Sequence, residues 1–311
     1  MFGLNTYFST ANARDYMDQL FSRTATSSAS ESRQSAWTVP SYDAGTGTTA
    51  QDRALSKIIS ILWDREHGDE ESQSSVTDVN GYILDATGTD AADTVNIQAI
   101  SAYNVNSGDG DDTVNIKAGS LAALDAGAGD DTLNIAADYA GAIDGGDGND
   151  KISFSGDIAD AVSGGSGNDT LKISAHTILG ADGGDGDDDL YLEGKRIFAS
   201  GGAGDDTITI INNGDRAAEL SFAAGDGKDT VKVSGALDIR FTSASAGSAA
   251  FGSGGYTPDD LDIAVSDSKI VIRALNSKDF LTINLDADAL EGRKPAYSFE
   301  MENGNYILKI R

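Results

Sequence analysis

The sequence predicts an all-β chain: a right-handed parallel β-roll, or β-helix solenoid, with an N-terminal helical segment and a C-terminal antiparallel β cap. Three observations predict it. A hexapeptide bearing two glycines and an aspartate recurs seven times, mostly at a spacing of 19 residues. Each copy is followed by a short stretch in which apolar and polar residues alternate, the period of a strand. Glycine is plentiful, 37 of 311 residues, while proline numbers 3, which suits many tight turns between short strands better than a linker.

The hexapeptide reads small residue, Gly, any, Gly, any, Asp. Its copies are 107–112, 126–131, 145–150, 164–169, 183–188, 201–206 and 224–229. The paired glycines are Gly108 and Gly110, Gly127 and Gly129, Gly146 and Gly148, Gly165 and Gly167, Gly184 and Gly186, Gly202 and Gly204, and Gly225 and Gly227. The closing aspartates are Asp112, Asp131, Asp150, Asp169, Asp188, Asp206 and Asp229. A degenerate copy, 88–93, precedes them and ends at Asp93, with Thr89 and Ala91 in the glycine positions. Six of the seven copies place Asp or Asn just before the closing Asp; the exception is Lys228.

After each turn the first apolar position runs Val114, Leu133, Ile152, Leu171, Leu190, Ile208, Val231. The second runs Ile116, Ile135, Phe154, Ile173, Leu192, Ile210, Val233. Two aligned inward columns are what a solenoid core needs, because each coil covers its neighbour's apolar face. A second strand ends two residues before each turn, at Val105, Leu124, Ile143, Val162, Ala181, Ala199 and Phe222. One coil is thus a glycine turn, a strand, a plainer turn and another strand.

With the start of its strand, the hexapeptide matches Gly-Gly-x-Gly-x-Asp-x-U-x, a calcium-binding β-helix repeat. Over residues 85–235, roughly half the chain, the sequence resembles the RTX family of calcium-binding repeat proteins. The spacing departs from the commonest form, which repeats every nine residues and carries calcium along both edges. The closing aspartates from Asp93 to Asp188 are 19 apart, followed by steps of 18 and 23. This places calcium on one edge only, an arrangement similar to the calcium-bound β-helix of some bacterial ice-binding adhesins. The resemblance implies that the paired glycines and closing aspartates, with Asp93, form about six to seven calcium sites between stacked turns.

The chemistry of the residues suits that role. Calcium takes six to eight hard oxygen ligands. Glycine permits positive φ, so a turn can aim its carbonyls inward, and the aspartate adds a carboxylate. Turns about 4.8 Å apart let one ion take oxygens from two of them. Residues 85–235 hold 28 acidic and 8 basic residues, a net −20. Without divalent ions these carboxylates repel one another and the glycine-rich backbone is costly to order, so folding is expected to require calcium. An EF-hand is rejected. Asp185, Asp187 and Asp189 have its early spacing, but Leu190 stands at its glycine and Arg196 at its bidentate glutamate.

Three regions follow: 1–80, helical and linker; 81–235, the roll; 236–311, a β-rich cap. Helices are expected at 9–21 and at 50–63, where Leu55, Ile58, Ile59, Leu62 and Trp63 share a stripe that would cover the first coil or dock a partner. In the last region 260–265 and 269–273 pair, 280–285 follows, and Asn303-Gly304 joins a hairpin of 297–302 and 305–311. This segment resembles the β-rich end of RTX proteins, which leads into an uncleaved type I secretion signal. Residues 1–23 lack the basic and apolar regions of a cleaved signal peptide, which fits that route. Arg293, Lys294, Lys309 and Arg311 depart from the basic-poor tails of the family.

Composition excludes other classes. A net charge of −28 disfavours nucleic acid and anionic lipid. There is no cysteine, hence no disulfide or thiolate chemistry, and no apolar run of 18 residues that would make a transmembrane helix. His67 and His176 sit in no metalloprotease motif, no Gly-x-Ser-x-Gly elbow occurs, and Gly45 and Gly47 lack the rest of a phosphate loop. An ice-binding face would want uniform Thr and Asn at turn positions three and five, but position three mixes Asp109, Ala128 and Ser166. The Thr column Thr94, Thr113, Thr132, Thr170, Thr207, Thr230 is broken by Lys151 and Asp189. The expectation is a non-enzymatic, extracellular calcium-binding structural or adhesive protein, secreted to the surface of a Gram-negative bacterium. Its expected partners are calcium, further copies of itself, and a cell-surface polysaccharide or protein. The alternative is a secreted enzyme with its site on the outer face of the roll.

Overall fold

A computed structural model describes residues 81–83, 85–242, 255–286, 294–303 and 305–311. The helices expected at 9–21 and 50–63 lie outside the described residues. The described chain is a stack of parallel coils, as the two apolar columns require. Strands Thr94–Ala102 and Thr113–Leu121 carry the first face, and Thr132–Asp147, Lys151–Ser166 and Thr170–Asp185 carry it and run on into the second, all in a 19-residue register. Val95 lies opposite Val114, then come Leu133, Ile152, Leu171 and Leu190. The shorter and longer steps fall into line here, with Leu190 opposite Ile208 and Ile208 opposite Val231. Both inward columns of this face are buried, and Val114, Leu133, Leu171, Leu190 and Ile208 are 0% exposed.

The second face stacks Val105, Leu124, Ile143, Val162, Ala181 and Ala199 as expected. The last coil corrects the sequence column. Ala199 pairs with Leu220, not Phe222. The 23-residue coil carries extra residues on both sides of this strand, in its plain turn and just before its glycine turn. Phe222 is buried one pair further on, opposite Phe241. The 18-residue coil has an equally local cause. In four of the five 19-residue coils the corner between plain turn and second strand holds a left-handed residue: Asn104 (φ 50°), Ala142 (50°), Ala161 (54°) and Gly180 (89°). The next coil omits that residue, and the register shifts between Phe198 and Ala199.

At the C-terminal end both faces continue and then reverse direction. Phe280–Leu285 runs parallel to Lys228–Ser234 like one more coil, and Lys269–Ala274 and Leu261–Val265 add antiparallel. On the other face Leu237–Thr242 is covered by Asn305–Ile310, which is paired in turn by Tyr297–Glu302. Asn303 has φ 51°, as the Asn-Gly turn requires. Ile270, Ile272, Leu281, Ile283 and Leu308 bury fully under this cap. Antiparallel strands end the stack without leaving a parallel edge that would template further coils.

If the columns are the core, truncating one mid-stack residue opens a cavity that neighbouring coils cannot close. Leu171→Ala should destabilise the folded chain by about 2–5 kcal/mol, and outward-facing Thr170→Ala by about 0.5 kcal/mol or less. Denaturant midpoints measured in calcium check this; equal shifts would contradict the inward assignment of Leu171.

Candidate metal centre

The glycine turns form one edge of the roll. In every copy both paired glycines have positive φ, 99–114° at the second position and 88–153° at the fourth. Side-chain-bearing residues avoid that region. Stacking adds a second reason, since a Cβ on Gly127 would collide with the carbonyl oxygen of Gly108. The turns also bond to one another through their backbones. Gly127 O accepts Asp147 N–H (2.8 Å), and Gly129 N–H donates to Asp147 O (2.8 Å). Gly148 N–H donates likewise to Ser166 O (2.7 Å) and Gly167 N–H to Asp185 O (2.7 Å).

Inside this edge runs a file of aspartates. Asp93, Asp112, Asp131, Asp150, Asp169, Asp188, Asp206 and Asp229 are all 1–3% exposed. From Asp112 onward each Oδ1 accepts the backbone N–H of the aspartate one coil earlier, at 2.6–3.1 Å. The other oxygen is different. Oδ2 of Asp112, Asp131, Asp150, Asp169, Asp188 and Asp206 is buried with no hydrogen-bond partner, as is Oδ1 of Asp93. A buried, unpartnered carboxylate oxygen is among the costliest groups a fold can hold.

These oxygens have company. A Cβ on Gly145 would collide with Asp150 Oδ2 and Gly164 O; on Gly164, with Asp169 Oδ2 and Gly183 O; on Gly183, with Asp188 Oδ2 and Gly201 O. In these three turns an orphaned carboxylate oxygen and a carbonyl of the next turn therefore crowd one point beside a glycine, in the space a side chain would take. The opening position of the hexapeptide is thus part of the site. Sequence reasoning registered it only as small, although its residues (Ser107, Ala126, Gly145, Gly164, Gly183, Gly201, Ala224) include nothing larger than serine. Among the described residues no three His, Cys, Asp or Glu side chains converge to hold a metal. A cation on this edge would draw on backbone carbonyls as well as carboxylates, which is how calcium, a hard ion with many oxygen ligands, is commonly held. The residues present fit such an ion.

Burial acts on the file as physics requires. Desolvation, opposed by the backbone N–H bonds and reinforced by neighbouring carboxylates, pushes Asp112 and Asp131 up to about 6. The same causes take Asp150 and Asp188 to about 7, Asp206 to about 6 and Asp229 to about 8, and Asp169 is raised as well. Each carboxylate needs a proton or a cation to stay inside.

A second file runs outside the first, in the opposite sense. Oδ1 of Asp111, Asp130, Asn149, Asn168 and Asp187 accepts the N–H of the same position one coil later, at 2.8–2.9 Å. Asp205 accepts the N–H of Lys228 (3.0 Å), and the Lys228 ammonium lies 3.5 Å from the same carboxylate. Lysine thus falls where no further coil asks for an acceptor. The N–H bond from Asn149 draws Asp130 below the usual carboxylate range. Sequence inspection saw this Asp/Asn column but assigned it no role.

No protein-family model and no curated protein matches the chain. Its own geometry carries the functional reading. His176 is exposed on the plain-turn side, away from the file, and His67 lies outside the described residues.

The shifts fix a pH dependence. Unfolded aspartates titrate near 3.9, so between that value and about 6–8 the ion-free roll holds more protons than the unfolded chain. Stability then falls as pH rises through that window. In chelator, acidification from about pH 8 to 5 should increase β structure, as protons neutralise the buried oxygens. Far-UV circular dichroism follows this; a spectrum flat across the window, or β content lost on acidification, would contradict it.

Proposed function

We propose that the chain is an extracellular calcium-binding protein with a structural or adhesive role, whose roll folds when calcium binds along the glycine-turn edge. The observation that carries this reading is the run of six consecutive aspartates with a buried, unpartnered Oδ2, which at Asp150, Asp169 and Asp188 crowds a carbonyl of the next turn. The ligands would be Asp93 and the closing aspartates, with carbonyls of the glycine turns. When bound, calcium supplies positive charge that cancels the carboxylates in place. The chain's own residues supply the turn shape through positive-φ glycines, and they set the spacing of the aspartates through the N–H to Oδ1 bonds. A net −20 over residues 85–235 supports dependence on divalent ions. Scarce cytosolic calcium would leave the roll unfolded and abundant external calcium would fold it, which supports secretion, by the type I route of a Gram-negative cell. With no nucleophile–base pair in the sequence, the role is non-catalytic: a surface-layer, matrix or adhesin-like component.

In chelator at neutral pH the far-UV spectrum should be mainly coil, turning to β with millimolar calcium but not with equal magnesium. Magnesium demands a tighter octahedral shell and dehydrates reluctantly. A β spectrum indifferent to chelator would sink the proposal. Labelled protein should also stay on its native cells in calcium and leave them in chelator.

Position within the file should matter. Asp150→Ala breaks the stack at its middle, whereas Asp93→Ala removes a ligand at its degenerate end, and solenoid stability sums over neighbour interfaces. The calcium midpoint for folding should rise more for Asp150→Ala; equal midpoints would count against a stacked file.

A further inference from the structure

The seventh glycine turn has no eighth turn to stack on, and one side chain of the cap takes that place. Asp279 precedes Phe280–Leu285, the strand that lies parallel to Lys228–Ser234 with Lys228 opposite Phe280 and Asp229 opposite Leu281. It is 7% exposed. Its Oδ2 accepts the N–H of Gly225 (3.0 Å) and the hydroxyl of Tyr256 (2.5 Å), and its Oδ1 accepts the N–H of Gly227 (3.3 Å). Gly225 and Gly227 are the paired glycines of the last turn. In the internal turns the fourth-position amide donates instead to a carbonyl of the next coil, as Gly129 does to Asp147. Leu281 stands where an eighth aspartate would, so the file stops at Asp229. Just inside this end, Asp206 is 1% exposed with Oδ2 unpartnered, and its N–H donates to Asp229 Oδ1 (3.1 Å).

We propose that Asp279 is a positioning residue that holds the seventh turn in its cation-binding shape before an ion arrives, so that the Asp206–Asp229 end of the file fills ahead of the internal turns. The inference rests on the calcium reading given above. Internal turns depend on neighbours that are themselves glycine-rich and, without ions, mutually repelling. The last turn leans on a cap of alternating apolar strands, whose core of Leu281, Ile283, Ile270 and Ile272 holds none of the file's carboxylates. A turn already fixed by bonds to a charged acceptor loses less freedom on binding than one that must order first.

Terbium excited through tyrosine reads this end of the file, because Tyr256 is bonded to Asp279. The emission lost in Tyr256→Phe of the full chain identifies that signal, and calorimetry with calcium gives total uptake. In the native chain the Tyr256-dependent emission should saturate at lower terbium than the far-UV transition. In Asp279→Ala its midpoint should rise about tenfold, the equivalent of one charge-assisted hydrogen bond, and so lose its lead. Should that variant not fold in saturating calcium, Asp279→Asn, which keeps one accepting oxygen, is read in its place and should show a smaller rise. If the variant only unfolds at lower temperature while the order of filling stays the same, Asp279 is a structural anchor and the inference is overturned. A native chain that takes up no calcium overturns the calcium reading itself, a separate result.

Discussion

A carboxylate at 1–3% exposure, with one oxygen tied to a backbone N–H and the other tied to nothing, must be balanced by something. Repeated once per coil, that requirement organises the molecule. It explains why so acidic a chain keeps part of its acid inside. It also explains why the hexapeptide opens on a residue no larger than serine, since in the middle turns a carbonyl and a carboxylate oxygen crowd the space a side chain would take. The paired glycines follow, because only a positive-φ turn brings the backbone into that position at this stacking distance.

The same aspartates serve as a ladder. Each inner Oδ1 reaches back to the N–H of the preceding coil, and each outer Asp or Asn is reached by the N–H of the following one. Two files bonded in opposite senses hold the turns in register where strand pairing is thinnest. Length variation is therefore displaced elsewhere. The 18-residue coil drops its left-handed corner near Phe198, and the 23-residue coil takes up its extra residues in the plain turn and before the glycine turn. In both, the inner bond persists: Asp188 to Asp206 at 2.9 Å and Asp206 to Asp229 at 3.1 Å. Asp279 and Lys228 then finish the two files with the chemistry each end needs.

Much of this was legible in the sequence because it rests on strong periodicities. The inward columns, the aspartate spacing and the Asn303 hairpin each follow from a period of two, a period of 19, or a dipeptide that favours positive φ. What stayed hidden has local causes. Ala142 and Ala161 adopt a left-handed conformation for which alanine gives no signal; packing in the stack overrides preference there. Phe222 looked like the next member of its column because the extra residues on either side of its strand are invisible to simple counting. The direction of the outer Asp/Asn bonds depends on side-chain orientation, and Asp279 finds Gly225 and Gly227 across more than fifty residues of chain. No spacing rule reaches that far.

The most direct measurement is the number of calcium ions carried by one folded chain, read by native mass spectrometry at about pH 8 over a calcium series. One ion for each orphaned oxygen of the inner aspartate file (Asp93 Oδ1 and the Oδ2 of the six closing aspartates Asp112 to Asp206) gives about seven, acquired together with the change from coil to β structure. A chain that is fully β-folded at that pH in chelator, and that carries no calcium when it is supplied, would contradict a roll organised around buried carboxylates.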